Sequence, residues 1–454
     1  MNAKSPICLI FICMLVLNPL ASAAPLRIGV FEVDATPPVG SPLAYDPMTG
    51  IDASLSCRGI VLLGGGQPIV LCAVDWIGIA NGGRKEFAEA VAKAAGTSPQ
   101  RVAIHALHQH DAPRCDFSAD ALLSEHGLKG VMFDVKFART VIARTADAVA
   151  KAVSQARLVT HVAAGQAKVQ NVASNRRILG PDGKVRAMRW TACKDAKLRA
   201  EPVGVIDPWM KLISFWNGDK PVAALSYYAT HPQSYYRTGR VSPDFPGIAR
   251  NMRQKNTTIP HIHFNGAGGN IGAGKWNDGS KKNRLILAGE VAKGMAGAWK
   301  QAAENKMPIS ADDLDWFVEP VALPPGPHLD QTKLLAQLKN PKLSTSDRMA
   351  AASNLVWLKR CQAGEKIDLT CLKLGKIRVV HMPGELFVEY QLAAVKMKPQ
   401  LFVTMAAYGD YGPGYIGTEI GYQQGGYETS SRASRVAPTT ERLLMAALKQ
   451  LLSK

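Results

Sequence analysis

The chain has 454 residues, with 54 Lys and Arg against 36 Asp and Glu, a formal charge of +18. That length accommodates one large or two medium domains. The basic excess would suit peripheral contact with an anionic membrane, an acidic polysaccharide or a cell envelope. The cations are scattered, however, in short runs such as Lys281-Lys282-Asn283-Arg284. No aromatic–basic interleaving marks a nucleic-acid face, which excludes nucleic acid as the expected partner.

The chain starts Met1-Asn2-Ala3-Lys4, runs apolar from Ile7 to Leu20 and reaches Ala21-Ser22-Ala23. A basic start, a short apolar stretch and an A-x-A site predict a signal peptide over residues 1–23, cleaved after Ala23. The apolar run is too short to favour a membrane span, and no later segment is long enough. The mature chain, residues 24–454, is therefore expected to be exported, secreted or periplasmic, and soluble. Six cysteines follow the leader: Cys57, Cys72, Cys115, Cys193, Cys361 and Cys371. Export permits disulfides, and Cys361 with Cys371 is the expected pair; free buried thiols are the competing reading.

Strand-like and helix-like segments then alternate without a repeat. Leu26–Val33 reads as a strand, and Gly59–Leu63 with Pro68–Val74 as a hairpin around Gly64-Gly65-Gly66. Helical periodicity marks 84–95 and 135–155. Between them Arg101–His105 is strand-like and closes on Ala106-Leu107-His108-Gln109-His110-Asp111-Ala112-Pro113. If that segment is extended, His108 and His110 project to one side, and two imidazoles there can serve a single metal ion.

Further strands are expected at 210–216 and 222–229, the second ending at Ala229-Thr230-His231-Pro232. A helix near 245–253 follows, then a short strand at 261–264 that feeds a Gly-rich loop from Asn265 to Gly274. Residues 285–303 form an amphipathic helix. Residues 320–345, Pro-rich and then polar, read as a surface excursion with a helical stretch on either side. A strand at 377–381 leads through His381-Met382-Pro383-Gly384-Glu385 into a helix over 385–397. A strand at 401–407 opens a Gly/Tyr-rich loop holding Asp410-Tyr411-Gly412-Pro413-Gly414-Tyr415-Ile416 and, further on, Tyr427. A last helix covers 440–452. With no convincing linker, the fold class is mixed α/β, β-sheets flanked by helices in one domain.

Each landmark is weak alone. In this order they resemble the neutral/alkaline non-lysosomal ceramidase family over roughly residues 27–430. The family's T-H-T-H-S-x-P corresponds to Leu107-His108-Gln109-His110-Asp111-Ala112-Pro113, its A-T-H to Ala229-Thr230-His231, and its G-E-L to Gly384-Glu385-Leu386. Its two loop tyrosines correspond to Tyr415 and Tyr427, and its N-R-S arginine to Arg176 in Asn175-Arg176-Arg177. The resemblance implies a ceramidase catalytic-domain fold and Zn2+ held by His108, His231, Glu385 and Tyr415. It implies catalytic or substrate-polarising roles for His110, Arg176 and Tyr427. Two imidazoles and a carboxylate are a hydrolytic zinc set that leaves room for water.

Two departures qualify the substrate. The family's G-D-V-S-P-N loop carries a serine, where this chain has Phe264-Asn265-Gly266-Ala267-Gly268-Gly269-Asn270. That loop is expected to offer backbone N–H groups as an anion nest, and its glycines lack the order of a nucleotide loop. The family's further immunoglobulin-like domain has no counterpart before Lys454. Polar and aromatic residues near the landmarks (Asp111, Arg114, Asp116; Tyr235, Tyr236, Arg237; Lys275 to Asp278) are candidates for shaping a substrate pocket suited to a sugar-like ligand. Three readings stand: a zinc hydrolase of an amide (N-acyl) bond in a lipid or other small molecule, a zinc hydrolase of a glycan, glycoconjugate or ester, and a non-catalytic secreted binding protein. The sequence sets no oligomeric state.

Overall fold

The structure, a computed structural model, describes residues 25–64 and 66–454; the expected signal peptide at 1–23 lies outside the described residues. Three β-sheets turn one face each toward a common apolar core. The first runs in the order Val102–Ala106, Gly66–Val74, Ser56–Gly64, Arg27–Asp34, Arg157–Leu158; the second, His261–Asn265, Lys220–Tyr228, Trp209–Asn217, His161–Lys168, Lys306–Pro308; the third, Leu314–Val321, Ile367–Leu374, Ile377–His381, Phe402–Ala406. Ile60, Leu62 and Leu71 of the first meet Phe215, Leu225 and Phe264 of the second and Leu372, Ile377 and Val379 of the third.

The outer faces are covered by helices. Cys57, Val61 and Val70 pack under helices Asn81–Ala95 and Val135–Ser154, which present Phe87, Val91, Val141 and Val149. Leu212 and Ala224 pack under Asp244–Thr257 and Lys282–Ala303 through Phe245, Ala249, Val291 and Met295. Val380 and Met405 pack under Val388–Met397 and Thr440–Ser453 through Tyr390, Leu444 and Leu448. Because these strands are covered on both sides, they are apolar at consecutive positions rather than alternate ones.

Each sheet is mostly antiparallel but contains one parallel pair: Gly66–Val74 with Val102–Ala106, Lys220–Tyr228 with His261–Asn265, and Ile377–His381 with Phe402–Ala406. The carboxyl ends of all three pairs are stitched together. Leu107 N–H donates to Val74 O (2.7 Å), Ala106 N–H to Tyr408 O (3.0 Å) and Ala407 N–H to Asn265 O (2.9 Å). Such carboxyl ends, where parallel strands stop and loops diverge, are where open α/β sheets place their ligands.

Several expectations change in detail. The strands His161–Lys168, Leu314–Val321 and Ile367–Leu374 were not legible. The first is poor in β-branched residues, and its Gly165 exists because a Cβ there would lie 2.3 Å from Ala298 O of the covering helix. The 320–345 stretch is only partly a surface excursion: it contains helix Gln331–Lys339, whose Leu334 and Leu338 are buried. The helix expected from Glu385 starts at Val388, because Glu385–Leu386 pairs in parallel with Tyr415–Ile416. Cys361 and Cys371 are not bridged; all six described cysteines are free thiols. Cys371 is held within its strand while Cys361 ends a helix. Among the described residues no helix is long and apolar enough to cross a membrane.

Candidate metal centre and substrate cavity

The convergence of three strand pairs brings His108, His231 and Glu385 to one point, each carried by the loop that leaves a different sheet. His108 Nε2 lies 3.0 Å from Glu385 Oε2, and His231 Nδ1 lies 3.9 Å from the same oxygen. All three side chains are buried. Among the described residues none of these three atoms has a hydrogen-bond partner. Three buried, unpartnered ligand atoms turned on one another would be costly if nothing joined them. Their chemistry, two imidazole nitrogens and a carboxylate oxygen, fits a divalent transition metal.

The remaining atoms of these groups are engaged as metal ligands require. His108 Nδ1 is 2.6 Å from Ile77 O, so Nδ1 carries the proton and leaves Nε2 with its lone pair. Glu385 Oε1 accepts from Tyr411 OH at 2.5 Å, leaving Oε2 free. Burial would favour the neutral acid, but nearby His108 and the Tyr411 hydroxyl hold the Glu385 carboxyl below its ordinary range.

His110 joins the cluster: ligand atoms of His108, His110 and His231 lie within 4.8 Å of one another, a group that could hold a metal ion. Unlike the other two, His110 has both ring nitrogens occupied. Nε2 is 3.0 Å from His231 Nε2, and Nδ1 is 3.2 Å from Tyr45 OH and 3.1 Å from Gln233 Nε2. Burial and the nearby His108 and Arg176 push His110 well below the ordinary histidine pKa, and burial with Arg176 does the same for His231. Both rings are neutral near pH 7.

His108 and His110 do converge, though not through strand alternation. The strand stops at Ala106, and His108 has φ of 62°, in the left-handed region. Its amide donates to Trp76 O at 2.9 Å, and its ring stacks on Tyr408 with centroids 4.6 Å apart. A turn, not an extended segment, therefore swings the two rings into an edge-to-face pair at 5.1 Å.

Tyr415 stacks on His231, with ring centroids 6.3 Å apart and planes 5° off parallel. Its hydroxyl accepts from Arg176 Nη2 at 3.1 Å. Arg176 is buried and anchored by Gly269 O (2.7 Å) and Glu428 Oε1 (3.0 Å). It thus backs Tyr415 rather than lining the cavity. Although burial opposes its charge, Tyr415 and Glu428 hold its pKa above the ordinary value. Tyr427 is half-buried and meets the Tyr415 ring edge-on at 5.8 Å.

A cavity of about 200 Å³ opens beside these groups, lined by His108, His110, Glu385, Tyr411, Tyr415 and Tyr427 together with Tyr45 and three arginines, Arg114, Arg432 and Arg435. Of the other expected pocket residues, Arg114 and Asp116 reach it. Tyr236 packs against Tyr45 at its edge (4.9 Å). Asp111 instead accepts from Thr238 and faces Arg284, and Lys275 is turned to the backbone carbonyls of Arg199 and Glu201.

The glycine loop does not form an open nest. Gly269 N–H donates to Leu386 O, Ala267 N–H to the Gln391 side chain and Gly266 N–H to Tyr228 O, so these donors are spent inside the fold. A Cβ on Gly269 would lie 2.3 Å from Glu385 O, and one on Gly268 2.6 Å from Thr230 O. The glycines let the loop press against the chain segments that carry two candidate ligands.

Sequence reasoning did not assign Tyr45, Tyr411, Gln233, Glu428, Arg432 or Arg435. Tyr411 sits in the same short Gly/Pro run as Tyr415, which was a usable signal. Tyr45, isolated in an N-terminal loop, offered none.

No family model matches the sequence, and no curated protein sequence matches it. Solved structures do share its fold. A ceramidase complexed with C2 superposes with a TM-score of 0.65 at 16% identity, covering 94% of this chain and 75% of that one. The neutral ceramidase from Pseudomonas aeruginosa superposes with a TM-score of 0.64 at 17% identity, covering 94% of this chain and 74% of that one. The mixed α/β architecture described above is thus the fold of these ceramidase structures.

Proposed function

We propose that the chain is an exported, zinc-dependent hydrolase that opens an amide (N-acyl) bond, with the metal held by His108, His231, Glu385 and Tyr415. The observation that carries this reading is the trio of buried, unpartnered atoms on His108, His231 and Glu385. The fold shared with ceramidase structures points to the same bond class.

When bound, zinc would supply an acidified water and a polarised carbonyl. The chain's own groups do the rest. Neutral His110, hydrogen-bonded toward Tyr45, is placed to take up a proton and return it to the leaving amine. The Tyr415 and Tyr427 hydroxyls lie beside the cavity as donors for the oxygen that gains charge when the carbonyl is attacked. Arg176 fixes Tyr415 and keeps its phenol polarised. Tyr411 orients the Glu385 carboxylate.

Metal analysis of the purified protein tests the reading. About one zinc per chain is expected, with loss of both metal and N-acyl hydrolysis in His108→Ala and His231→Ala. A content far below one, indifferent to either substitution, overturns it. The second reading, hydrolysis of a glycan, glycoconjugate or ester at the same centre, is favoured by Trp190, 46% exposed and edge-on to Tyr427 at 5.3 Å. An exposed aromatic ring at the margin of a polar cavity suits a sugar face. Turnover of an O-acetylated sugar or a glycan, with no turnover of ceramide or of any other N-acyl substrate, would select it.

A further inference from the structure

The charge of the cavity bears on what the centre accepts, and this step rests on the hydrolase reading above. Elsewhere in the molecule several arginines meet carboxylates: Arg250 faces Asp75 at 2.7 Å, Arg176 faces Glu428 at 3.0 Å, and Arg360 faces Asp410 at 2.9 Å. Buried Arg189 and Arg378 are instead turned to backbone carbonyls, away from the cavity that holds the candidate ligands. The three arginines of the cavity form no ion pair among the described residues. Arg435 donates from Nε to Asn354 Oδ1 (2.7 Å) and from Nη1 to Gly412 O (3.1 Å), both neutral acceptors. Arg114 donates from Nη2 to Ala44 O (2.7 Å). Arg432 is exposed and makes no hydrogen bond or ion pair among the described residues.

Among the described residues the carboxylates at the cavity form no ion pair with these arginines and are engaged elsewhere. Glu385 is turned to His108 and Tyr411. Asp116 caps the helix Phe117–Glu125 through Ala119 N (3.1 Å) and accepts from Asn81 Nδ2 (2.5 Å). Burial raises Asp116 to about 6. Burial lowers the Arg435 pKa, outweighing the opposing pull of Tyr411, Asp116 and Glu385. Guanidinium groups left without a carboxylate in a partly desolvated cavity are the residue type that binds planar oxyanions through paired N–H donors. The cavity is small: about 200 Å³ lies below the range of roughly 300–1,000 Å³ usual for drug-sized ligands. It suits a compact charged head better than a long acyl chain.

We propose that the substrate carries an oxyanion, carboxylate or sulfate, close to its scissile acyl bond, and that Arg114, Arg432 and Arg435 receive it. This anion recognition makes the three arginines specificity-determining residues, separate from the metal-holding set.

Titration calorimetry on the full mature chain with matched probes tests the assignment. N-acetylglycine is compared with neutral N-acetylglycinamide, and N-acetylglucosamine 3-sulfate, its sulfate next to the acetamido group, with N-acetylglucosamine; the two pairs distinguish a carboxylate from a sulfate source. In at least one pair the anionic probe is expected to bind about 10-fold or more tightly, with the advantage shrinking at high salt. Arg432→Gln, at an exposed position that leaves packing intact, and Arg435→Gln should each remove much of it, with lysine at 432 restoring part. Equal binding of charged and neutral probes in both pairs overturns the proposal. So does a preference that survives both glutamine variants, or one that disappears when a chelator strips the metal, since the metal would then be the anion's partner. Anion preference persisting in metal-free protein, with no hydrolysis of any probe by the loaded enzyme, sinks the hydrolase reading and leaves the arginine site standing.

Discussion

At the scale of the residue, the centre is defined by how each ligand atom is left free. His108 is held by Ile77 O at one nitrogen and by a left-handed backbone at its Cα, a conformation rare for a residue with a side chain. Glu385 has one oxygen tied to Tyr411 and one unpartnered. Tyr411→Phe removes that tie without changing the ring. It is expected to weaken metal affinity by about 10- to 100-fold, as loss of a group that orients a metal ligand generally does. Competition with a chromophoric chelator measures this, and an unchanged affinity would show that Tyr411 does not position the carboxylate. His108, His231 and Glu385 could be picked out from sequence because their short motifs, taken together in order, resemble those of the ceramidase family; their positions at strand ends and turns were weak signals alone. Tyr45, Gln233 and Glu428 could not, because their roles arise from contacts across 65, 123 and 252 residues of chain.

At the scale of the element, three parallel strand pairs inside largely antiparallel sheets do the positioning, and the loops at their carboxyl ends are packed against one another. The Gly266–Gly272 loop is the tightest of these contacts. Gly269→Ala would drive a Cβ to 2.3 Å from Glu385 O, which is backbone and cannot swing away. Such overpacking is expected to cost about 1–3 kcal/mol of stability and to move Glu385 with it. Thermal melts and zinc content of the same sample are the check, and a variant with wild-type values in both would exclude tight packing there. The short strands that build this face were partly legible: the hairpin and the strands ending near His231 and His381 read as apolar runs between turn residues. The strand at His161–Lys168 did not, since its alanines and glycine reflect the helix packed upon it, a tertiary fact with no local signature.

At the scale of the whole molecule, the sheets that carry the ligands are also joined by charge. Asp75, just past the strand Gly66–Val74, is fully buried and receives Arg250 through two donors at 2.7 and 3.0 Å, along with Ser56 Oγ at 2.7 Å. Arg250 comes from the helix that covers the second sheet, so the pair spans two sheets beside the Trp76 carbonyl that holds His108. Burial would raise the Asp75 carboxyl, yet Arg250 and its hydrogen bonds hold it below the ordinary value.

A folded-state pKa below the unfolded one means the unfolded chain binds the proton more readily. The pair's contribution is therefore full above the unfolded aspartate value of about 3.9, and is lost as pH falls through the lower folded value. Arg250→Met, which leaves the carboxylate buried without its partner, is expected to cost about 3–5 kcal/mol at neutral pH. Asp75→Asn should narrow its Tm deficit relative to wild type as the buffer is taken from about pH 5 toward pH 2, because acid removes from wild type what the substitution has already removed. Calorimetric melts of both proteins across that interval measure the difference, and a Tm gap constant with pH would show that the Asp75–Arg250 pair does not carry the acid sensitivity of this junction.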